Sequence, residues 1–589
     1  MMNFKGNPAH KFAESPLLQL SLPPWRSRLM ALLILGSFSL LIGRAFYLQI
    51  VNNDFLQEKG ESRYRRNIEI SASRGRIADR HGDVLAISTP MKSIWAIPSA
   101  TSLTPDQSRQ LAALLETDVK QLTHKLETDK SFVFLRRQIP PLVADQVAAL
   151  KLPGIGQNKE YRRFYPTGEM TAHVVGFTGV DDKGLEGVEL AFHEQLLGQP
   201  GGRSVIKDRR GQIVEDVGSI KTPQDGKDIR LALDSKIQYL AYSQLKQAIT
   251  DNNAKAGGII VLDARSGEIL ALANWPTYNP NNREKLSGAQ LRNRAVTDTF
   301  EPGSTLKPFT IALALDNAKV RFDTIINCAP GRLTIGSATI SDAHPHGALT
   351  VAEVIQKSSN VGAAKIAAML PAQKMWEMFD DVGFGQVPRL GFPGEVSGRL
   401  RPWKRWRPIE QATMSYGHGI SVSLIQLARA YSVFARDGDL VPLSLTRADS
   451  SMPQGARVFS AKTAREVRTM LEMAVLPGGT APKAQIPGYR VAGKTGTAYK
   501  LEHGRYASKY VSSFVGFAPA SEPRLIVAVM IDEPSAGKHY GGDVAAPVFA
   551  SVMGSSLRTL GIAPDIPLVV AQSPQSPQSP KTLAAKAKL

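Results

Sequence analysis

The chain has 589 residues, of which 43% are hydrophobic and 21% are charged, with a formal net charge of +19. This composition is typical of folded globular protein and excludes a largely disordered chain, and the length suffices for more than one domain. The positive charge suits nucleic acid, an anionic membrane or an anionic polymer. Zinc-finger spacing, a basic zipper and aromatic RNA-binding motifs are missing from the sequence, so we expect no nucleic-acid partner. The single cysteine, Cys328, excludes an intrachain disulfide.

The N-terminal region predicts a membrane anchor. Residues 1–28 are basic, with one acid, Glu14, and we expect them to form an unstructured cytoplasmic tail. Residues 29–51 are mostly apolar, carry no charge except Arg44 and are long enough to cross about 30 Å of hydrocarbon. Because no small-residue cleavage site follows, the segment is interpreted as an anchor and not as a cleaved signal peptide. The positive-inside rule predicts a single-pass membrane protein with its N-terminus in the cytoplasm and everything after Val51 outside.

Arg44 lies inside this apolar segment, where a charge is costly. It either extends its guanidinium to the membrane surface or meets a partner helix.

Residues 52–224 contain turn signals, short strand-like runs and amphipathic segments, but no catalytic set. The segment 102–116 has a capping serine or threonine, an early Pro105 and a helical apolar period, which together predict a helix. Tyr161, Arg162 and Arg163 are interpreted as surface and support contacts, with a binding patch as the alternative. We predict a mixed, non-catalytic pedestal domain, resembling a dimerisation domain, over this range.

Residues 225–562 are predicted to form the catalytic domain. An amphipathic helix over 235–249 precedes two apolar strands around a turn at 265–267, which indicates a hairpin. Three more strands close the domain, with helical segments between. This order predicts an α+β domain in which an antiparallel sheet is flanked by helices. Residues 563–589 are of low complexity and are predicted to be a disordered tail.

The stretch FEPGSTLKPFT contains the candidate nucleophile, Ser304, at a predicted helix start. Lys307 lies one turn away on the same face, where a neutral lysine can take the serine proton. The helix N-terminus favours the negative charge that develops during attack. Pro308 disfavours helical geometry at Lys307, which argues against a regular helix there. The Ser-x-x-Lys pattern alone is weak, because it recurs at other places in the chain, namely Ser204–Lys207, Ser243–Lys246 and Ser535–Lys538.

Two later motifs single out Ser304. Ser358 and Asn360 lie in KSSNV, and KTGT over residues 494–497 holds the only Lys-Thr-Gly of the chain. In this order the three elements form the set found in penicillin-binding proteins and class A β-lactamases. Ser358 can relay a proton from Lys307 to a leaving amine, and Asn360 can hold Lys307 or accept a substrate amide. For both residues a helix cap or turn is the alternative interpretation.

The KTGT segment predicts a substrate-binding strand. Lys494 supplies positive charge and Thr495 a hydroxyl, which suit a substrate carboxylate. The backbone N–H groups of Ser304 and Thr497 can stabilise an oxyanion. Gly496 would let substrate lie against the backbone as an added strand.

These motifs, together with RAFYLQ, SRGRIADRHGDVLA, GLEGVE and YGGDVAAPVF, resemble the class B penicillin-binding proteins, and most closely the division-specific transpeptidases of that class. The resemblance extends from about residue 26 to 563. It implies a peptidoglycan D,D-transpeptidase of the bacterial inner membrane, with its catalytic domain in the periplasm. Such an enzyme is acylated by the D-Ala-D-Ala end of a stem peptide and inhibited by β-lactams. The partners it implies are stem peptides, glycan derived from lipid-linked precursors, an FtsW-type glycosyltransferase and other membrane proteins of the division machinery.

The resemblance also assigns roles to residues. It implies a serine acyl-enzyme with no metal or organic cofactor. The implied catalytic residues are the nucleophile Ser304, its base Lys307, and Ser358 and Asn360 in the proton network. The implied substrate-binding residues are Lys494, Thr495, Gly496, Thr497, Tyr416, Tyr540 and Gly541.

Other functions remain open at this point. An elongation-type transpeptidase and a D,D-carboxypeptidase would use the same residues. A β-lactamase would need a base that activates a deacylating water, and the sequence offers no candidate for it. A membrane-anchored penicillin sensor or scaffold is the alternative of another class, although the intact motif set favours an enzyme.

Overall fold

The computed structural model describes residues 23–52, 65–207, 213–447, 453–502 and 504–566. The predicted cytoplasmic tail up to residue 22 and the predicted C-terminal tail from residue 567 lie outside the described residues. The chain separates into two compact units. The smaller comprises the residues up to Ile70 with Pro200–Pro223, and the larger comprises Ser71–Gln199 with Gln224 onward.

The smaller unit contains a long apolar helix, Pro24–Phe46, which a π-helical turn at Tyr47–Val51 continues. Among the described residues it is the one helix long and apolar enough to cross a membrane, with a mean hydropathy of 2.0. It is consistent with the predicted anchor. The helix begins at Pro24, ahead of the predicted start at residue 29, because proline suits the first helical turn and arginines are tolerated in a helix.

The strands are numbered in chain order. Those of the first part of the chain are β1 (Arg65–Ile70), β2 (Ile77–Ala78), β3 (Val84–Ala96), β4 (Val133–Ile139), β5 (Ile155–Phe164), β6 (Gly201–Lys207), β7 (Ile213–Lys221) and β8 (Ile229–Arg230). Those of the second part are β9 (Ala256–Asp263), β10 (Ile269–Trp275), β11 (Thr299–Phe300), β12 (Ile325–Asn327), β13 (Arg332–Ile335), β14 (Ala338–Ser341), β15 (Ala348–Thr350), β16 (Val422–Ser423), β17 (Asp439–Leu440), β18 (Ala456–Arg457), β19 (Ala492–Glu502), β20 (Arg505–Ala518) and β21 (Leu525–Asp532).

The larger unit also contains α-helices and short 3₁₀ turns. Its described α-helices are Pro105–Leu114, Val119–Leu126, Pro141–Ala149, Ala172–Val175, Gly187–Ala191, His193–Leu196, Ser235–Asp251, Gly288–Leu291, Arg294–Thr297, Lys307–Asp316, Val351–Gln356, Asn360–Ala367, Ala372–Asp381, Pro408–Met414, Leu424–Ala430, Ser432–Ala435, Ala461–Val475, Gly541–Val544 and Ala546–Thr559. Its described 3₁₀ turns are Pro98–Ala100, Gly168–Met170, Gly303–Leu306, Trp403–Arg405 and Pro482–Ala484.

The region predicted as a pedestal contributes sheets to both units. In the smaller unit the order is β1-β6-β7, and in the larger it is β4-β3-β2-β8, with β5 also pairing with β3. The helix predicted over residues 102–116 runs from Pro105 to Leu114. Thr104 caps it by accepting a hydrogen bond from the Gln107 backbone N–H.

A buried carboxylate, Glu189, ties together three segments of the larger unit. Its oxygens accept hydrogen bonds from the Nε groups of Arg74 and Arg163, each at 2.6 Å, and all three side chains are almost fully buried. Removing one partner would leave an uncompensated buried charge, which is strongly destabilising. Arg163 is therefore a support contact and not part of a binding patch.

The catalytic region is built on a five-stranded antiparallel sheet in the order β10-β9-β21-β20-β19. Alternate residues of its central strands face opposite sides. Val527 and Val529 pack with the helices Ser235–Asp251 and Ala546–Thr559, whereas Ile526 and Ala528 belong to the core of the other face. The predicted α+β architecture, an antiparallel sheet flanked by helices, is confirmed.

The first residues of the predicted disordered tail are held in place. Asp565 accepts hydrogen bonds from the Arg490 backbone N–H at 2.7 Å and from the Ser521 hydroxyl at 2.6 Å. The Ile566 N–H donates to the Gly488 carbonyl at 3.0 Å. The predicted tail boundary at residue 563 is therefore too early, because one carboxylate anchors the chain beyond it.

Candidate active site

Ser304 lies in a tight turn directly before a buried helix. The 3₁₀ turn Gly303–Leu306 holds it, and the helix Lys307–Asp316 follows with helical dihedrals at Lys307. A 3₁₀ turn has three residues per turn, so the side chains of Ser304 and Lys307 project in the same direction. Pro308 is tolerated because it occupies the first turn of the helix, where its missing N–H has no intrahelical partner to lose.

The amine of Lys307 is the centre of the site. Its Nζ lies 2.8 Å from Ser304 Oγ, 2.8 Å from Asn360 Oδ1, 2.7 Å from the Ser358 carbonyl oxygen and 3.1 Å from Ser358 Oγ. A neutral amine has two N–H donors and one lone pair. The Asn360 and Ser358 carbonyl oxygens can only accept, so they take the two N–H groups and leave the lone pair for the Ser304 hydroxyl.

The surroundings of Lys307 favour this neutral form. Its side chain is fully buried. Burial lowers its pKa well below the ordinary lysine value, and the nearby positive charge of Lys494 lowers the pKa further, while Asp342 opposes the shift. A lysine with a lowered pKa is neutral at a pH where a surface lysine is an ammonium ion, and it can therefore act as a base.

Ser358 and Asn360 come together at the start of the helix Asn360–Ala367. The residue between them, Ser359, is the helix cap, and its hydroxyl accepts a hydrogen bond from the Gly362 N–H at 2.9 Å. The capping role considered for Ser358 and Asn360 thus belongs to Ser359. Ser358 has a φ of +58°, a conformation that non-glycine residues seldom adopt and that is often found at functional sites.

The side chain of Lys494 is more buried than binding of a substrate carboxylate requires. Its side chain is fully buried, and its Nζ is 3.0 Å from Ser358 Oγ and 3.2 Å from Thr495 Oγ1. Burial lowers its pKa to about 7. We expected a cation for the substrate carboxylate. The structure adds a contact with Ser358, so the Ser358 hydroxyl lies between two lysines.

Gly496 allows the nucleophile turn to pack against β19. A Cβ atom at this position would lie 2.7 Å from the Pro302 carbonyl oxygen and 3.0 Å from the Thr305 methyl group. The structure thus gives glycine a packing role at this position, and the approach of substrate to its backbone stays a prediction. The same packing brings Gly303 against the backbone of Thr497.

Comparisons with known proteins agree with this geometry. A family model described as "Penicillin binding protein transpeptidase domain" matches residues 257–554, and one described as "Penicillin-binding Protein dimerisation domain" matches residues 69–231. The chain is 48% identical over 549 residues to a protein of Neisseria gonorrhoeae named "Probable peptidoglycan D,D-transpeptidase PenA", covering 92% of this chain and 94% of that protein. The chain belongs to the penicillin-binding protein family. The resemblance inferred from the motifs is confirmed.

Further relatives support the same assignment. "Peptidoglycan D,D-transpeptidase FtsI" of Escherichia coli (strain K12) is 43% identical over 549 residues, which cover 92% of this chain and 93% of that protein. A solved apo structure of the transpeptidase domain of Burkholderia pseudomallei penicillin-binding protein 3 is 51% identical, with a TM-score of 0.53. It covers 57% of this chain and 98% of that one. The prediction of a penicillin-binding acyl-transfer enzyme is confirmed.

Three further residues were expected to line the cleft of this penicillin-binding protein. The Tyr416 ring is nearly buried, and its centroid lies 5.9 Å from Lys307 Nζ. The Gly541 backbone N–H donates to Thr497 Oγ1 at 3.0 Å. Tyr540 is half exposed and packs on His539, with ring centroids 4.5 Å apart. The structure thus brings Tyr416 and Gly541 to the motif residues, whereas the ring contact of Tyr540 is with His539.

The sequence analysis missed Asp342, which follows β14. Its carboxylate accepts hydrogen bonds from the Ser359 hydroxyl at 2.8 Å, the Asn360 N–H at 2.5 Å and the Val361 N–H at 2.9 Å. An acid at a helix N-terminus also interacts favourably with the helix dipole. Asp342 therefore holds in place the segment that carries Ser358 and Asn360. No local pattern marks a lone aspartate in a loop, so the sequence held no signal for it.

The neighbouring backbone fixes the orientation of the Asn360 amide. Its Nδ2 donates to the Ser341 carbonyl oxygen at 2.9 Å, so its Oδ1 faces Lys307. The loop of Ser341 and Asp342 thereby positions an acceptor for the amine of Lys307.

We expect Asp342→Asn to slow acylation by penicillin about tenfold or more. The neutral amide of asparagine weakens the charge-assisted hydrogen bonds from the Asn360 and Val361 N–H groups, and its NH2 group cannot accept from the Ser359 hydroxyl, at a cost of about 1–3 kcal/mol. The measurement is the second-order rate of labelling by fluorescent penicillin. Asp323→Asn, at an exposed aspartate paired with Arg321, is the control. An unchanged rate in Asp342→Asn would show that the loop does not position the site.

Proposed function

We propose that this penicillin-binding protein cross-links the stem peptides of peptidoglycan at the division septum, with Ser304 as the nucleophile. The observation that carries the proposal is the buried amine of Lys307, which contacts Ser304, Ser358 and Asn360 at once. The Lys307 side chain thereby connects the turn of Ser304 with the KSSNV segment. Lys494 connects the KTGT strand to both through its contact with Ser358.

The first step is acylation. Ser304 Oγ attacks the carbonyl carbon of the penultimate D-Ala while Lys307 Nζ takes the hydroxyl proton. The peptide C–N bond then breaks, and the leaving D-Ala amine receives a proton through the Ser358 hydroxyl, which lies within reach of both lysines. The product is an ester between Ser304 and the donor stem peptide.

The second step regenerates the enzyme. An amine of an acceptor stem peptide attacks the ester carbonyl and gives up a proton to the same network. A new peptide bond forms as the bond between the acyl carbon and Ser304 Oγ breaks, and Ser304 Oγ takes a proton from Lys307. Atoms and charge balance over the two steps, and no metal or organic cofactor enters either of them.

The binding of the donor follows from the position of β19 at the edge of the sheet. A peptide can add to this open edge as a further strand. The backbone N–H groups of Ser304 and Thr497 belong to adjacent segments and stabilise the oxyanion. The hydroxyls of Thr495 and Thr497, with the charge of Lys494, bind the terminal carboxylate.

The septal role follows from the similarity to E. coli FtsI and to PenA, both named as D,D-transpeptidases. The complete network around Lys307 favours an enzyme over a scaffold or sensor. Elongation-type and carboxypeptidase activities are not favoured by the names of these relatives.

Mapping the acylated residue tests the proposal. The protein is labelled with penicillin, digested and analysed by mass spectrometry. We expect a stable penicilloyl group on the peptide that contains Ser304. A label on another serine would refute the site, and rapid release of hydrolysed penicillin would indicate a β-lactamase.

The proposal about partner proteins is based on the membrane helix. We place the N-terminus in the cytoplasm and the catalytic region in the periplasm, because residues 1–28 are basic. Cross-linking requires newly made glycan close to Ser304, and this supply fits an FtsW-type glycosyltransferase in the same membrane. Arg44, which lies over the Tyr47 ring at 5.5 Å, is a polar group through which the helix can meet such a partner.

We expect replacement of residues 29–51 by an unrelated apolar helix to spare penicillin binding but to abolish septal cross-linking. The control is membrane fractionation, which must show that the exchanged protein is still anchored. Growth, septal localisation and co-purification with the polymerase are then measured. If the exchanged protein supports division and still co-purifies, the helix serves as an anchor and the contact lies elsewhere.

A further inference from the structure

Glu301, which the proposed chemistry does not use, connects three segments around Ser304. It lies just before the nucleophile turn, and its Oε1 accepts a hydrogen bond from the Gly419 backbone N–H at 2.8 Å. The Tyr506 hydroxyl lies 3.2 Å from Oε1 and 3.1 Å from Oε2 of the same carboxylate. Gly419 belongs to the loop after the helix Pro408–Met414, and Tyr506 belongs to β20.

The aromatic rings follow the same path as the hydrogen bonds. The Tyr506 ring lies 6.1 Å from the His418 ring, and the His418 ring lies 5.2 Å from the Tyr416 ring. Tyr416 in turn lies over Lys307. A continuous series of rings therefore runs from the outer end of β20 to the catalytic lysine, with Glu301 bonded at its outer end.

The part of the hairpin that carries Tyr506 needs such a tether. In the described part of the chain, β21 pairs with β20 only from Val511 to Ala518. The Tyr510 carbonyl oxygen still accepts from the Glu533 backbone N–H at 2.9 Å, but before Tyr510 the described ladder partners of β20 all lie in β19. The register of that pairing shifts between Tyr499 and Leu501. An isolated two-stranded ribbon is marginally stable in water. We call this ribbon, residues 499–502 and 505–510, the hairpin extension.

The hairpin extension is held from two sides. On one side Lys500 pairs with Asp532 and Glu533, at 2.9 Å and 2.6 Å. On the other, the Tyr506 hydroxyl bonds Glu301, although the Tyr506 side chain is 53% exposed overall. The hydroxyl is thus directed at a carboxylate beside the nucleophile turn and not only at solvent. The second attachment links the hairpin extension directly to the site.

We propose that Glu301 and Tyr506 form a latch that positions the hairpin extension for substrate binding along β19. The inference deepens the proposed function and rests on acylation at Ser304. A donor peptide added to the open edge of β19 passes Thr497 and continues toward Tyr499, where the hairpin extension begins. With the latch closed, the backbone of this stretch is held in one position. Glu301 and Tyr506 act through the backbone and are positioning residues, not catalytic ones.

Tyr506→Phe tests the latch, because it removes one hydroxyl and keeps the ring. Acylation by a fluorescent penicillin is resolved into the dissociation constant of the non-covalent complex and the rate of the covalent step. We expect the dissociation constant to rise about tenfold or more, as for one lost hydrogen bond to a charged group. The covalent rate should stay within about twofold, because Lys307 and its partners are unchanged.

A double-mutant cycle shows whether Tyr506 acts through Glu301. Glu301→Ala should weaken binding and also slow the covalent step, since it frees the loop at Gly419 as well. In the Glu301→Ala background, Tyr506→Phe should have no further effect. If Glu301→Ala does not fold, the cycle is run on Glu301→Gln, which keeps an acceptor for Gly419, and the effect of Tyr506→Phe should then be smaller than in the natural protein.

Limited trypsin digestion gives a readout independent of activity. Cleavage after Arg505, within the hairpin extension, should be faster in Tyr506→Phe and in Glu301→Ala, and no faster in the double variant than in Glu301→Ala. The matched control is Tyr242→Phe, which removes a tyrosine–carboxylate hydrogen bond to Glu169 of 3.0 Å outside the site. It should change neither binding nor cleavage after Arg505.

Two results would overturn the latch: binding and proteolysis unchanged in Tyr506→Phe, or effects that simply add in the double variant. Both differ from failure of the proposed function, in which penicillin labels the natural protein at a residue other than Ser304.

Discussion

Ser304→Ala is expected to abolish covalent labelling by penicillin, because in the proposed mechanism the ester that holds the label forms at Ser304 Oγ. The fold should survive, since the change removes one hydroxyl and leaves the turn Gly303–Leu306 intact. The measurement is gel fluorescence after labelling, with denatured protein as the blank. Signal in the variant should not exceed that blank.

The other Ser-x-x-Lys matches are the controls for this experiment. The Ser243 hydroxyl donates to the Leu240 carbonyl inside a helix, and the Ser535 hydroxyl donates to the Asn253 carbonyl. Ser204 lies in β6 of the smaller unit. Ser204→Ala, Ser243→Ala and Ser535→Ala should therefore retain full labelling. Label remaining on Ser304→Ala, or lost from a control, would contradict the assignment of the nucleophile.

Residue types and their order were enough to predict which residues meet in the site. Ser304, Ser358 and Lys494 lie far apart in the sequence, yet each occurs in a motif whose chemistry is incomplete without the other two. The strands around them were predictable for a different reason. Apolar residues in β9, β20 and β21 are buried in continuous runs, and turn residues separate the strands, so the local pattern already indicates a sheet.

The sequence could not predict contacts that depend on how loops pack. Asp342 and Glu301 are single acids in loops, and their partners are backbone N–H groups or a hydroxyl from distant segments. The packing role of Gly496 was unpredictable for the same reason, because only the folded chain shows the Pro302 carbonyl oxygen beside it. The full burial of the Lys494 side chain also depends on packing, because the KTGT motif does not indicate how exposed its lysine is.

Lys307→Arg is expected to reduce acylation about a thousandfold or more, which is the range of general base catalysis. A guanidinium stays charged at any working pH and cannot accept the Ser304 proton. Lys494→Arg keeps a cation and should retain measurable acylation, although the buried site must adjust to the larger group. Equal residual rates in the two variants would mean that the two lysines have been given the wrong roles.

The pH dependence of acylation separates the two lysines further. Lys307 acts as the neutral amine, so the rate rises with pH through its pKa, which burial and the charge of Lys494 hold well below the usual lysine value. Lys494 acts as the cation, and its pKa is lowered to about 7, so the rate falls as the pH rises through that region. The natural protein should therefore show a bell-shaped profile.

In Lys494→Arg the alkaline limb should move to higher pH, because the guanidinium does not titrate there. In Lys494→Ala the acidic limb should also move to higher pH, because Lys307 loses the neighbouring charge that lowers its pKa. The measurement is the second-order acylation rate from pH 5 to 10, and an acidic limb that stays in place in Lys494→Ala would contradict the coupling between the two amines.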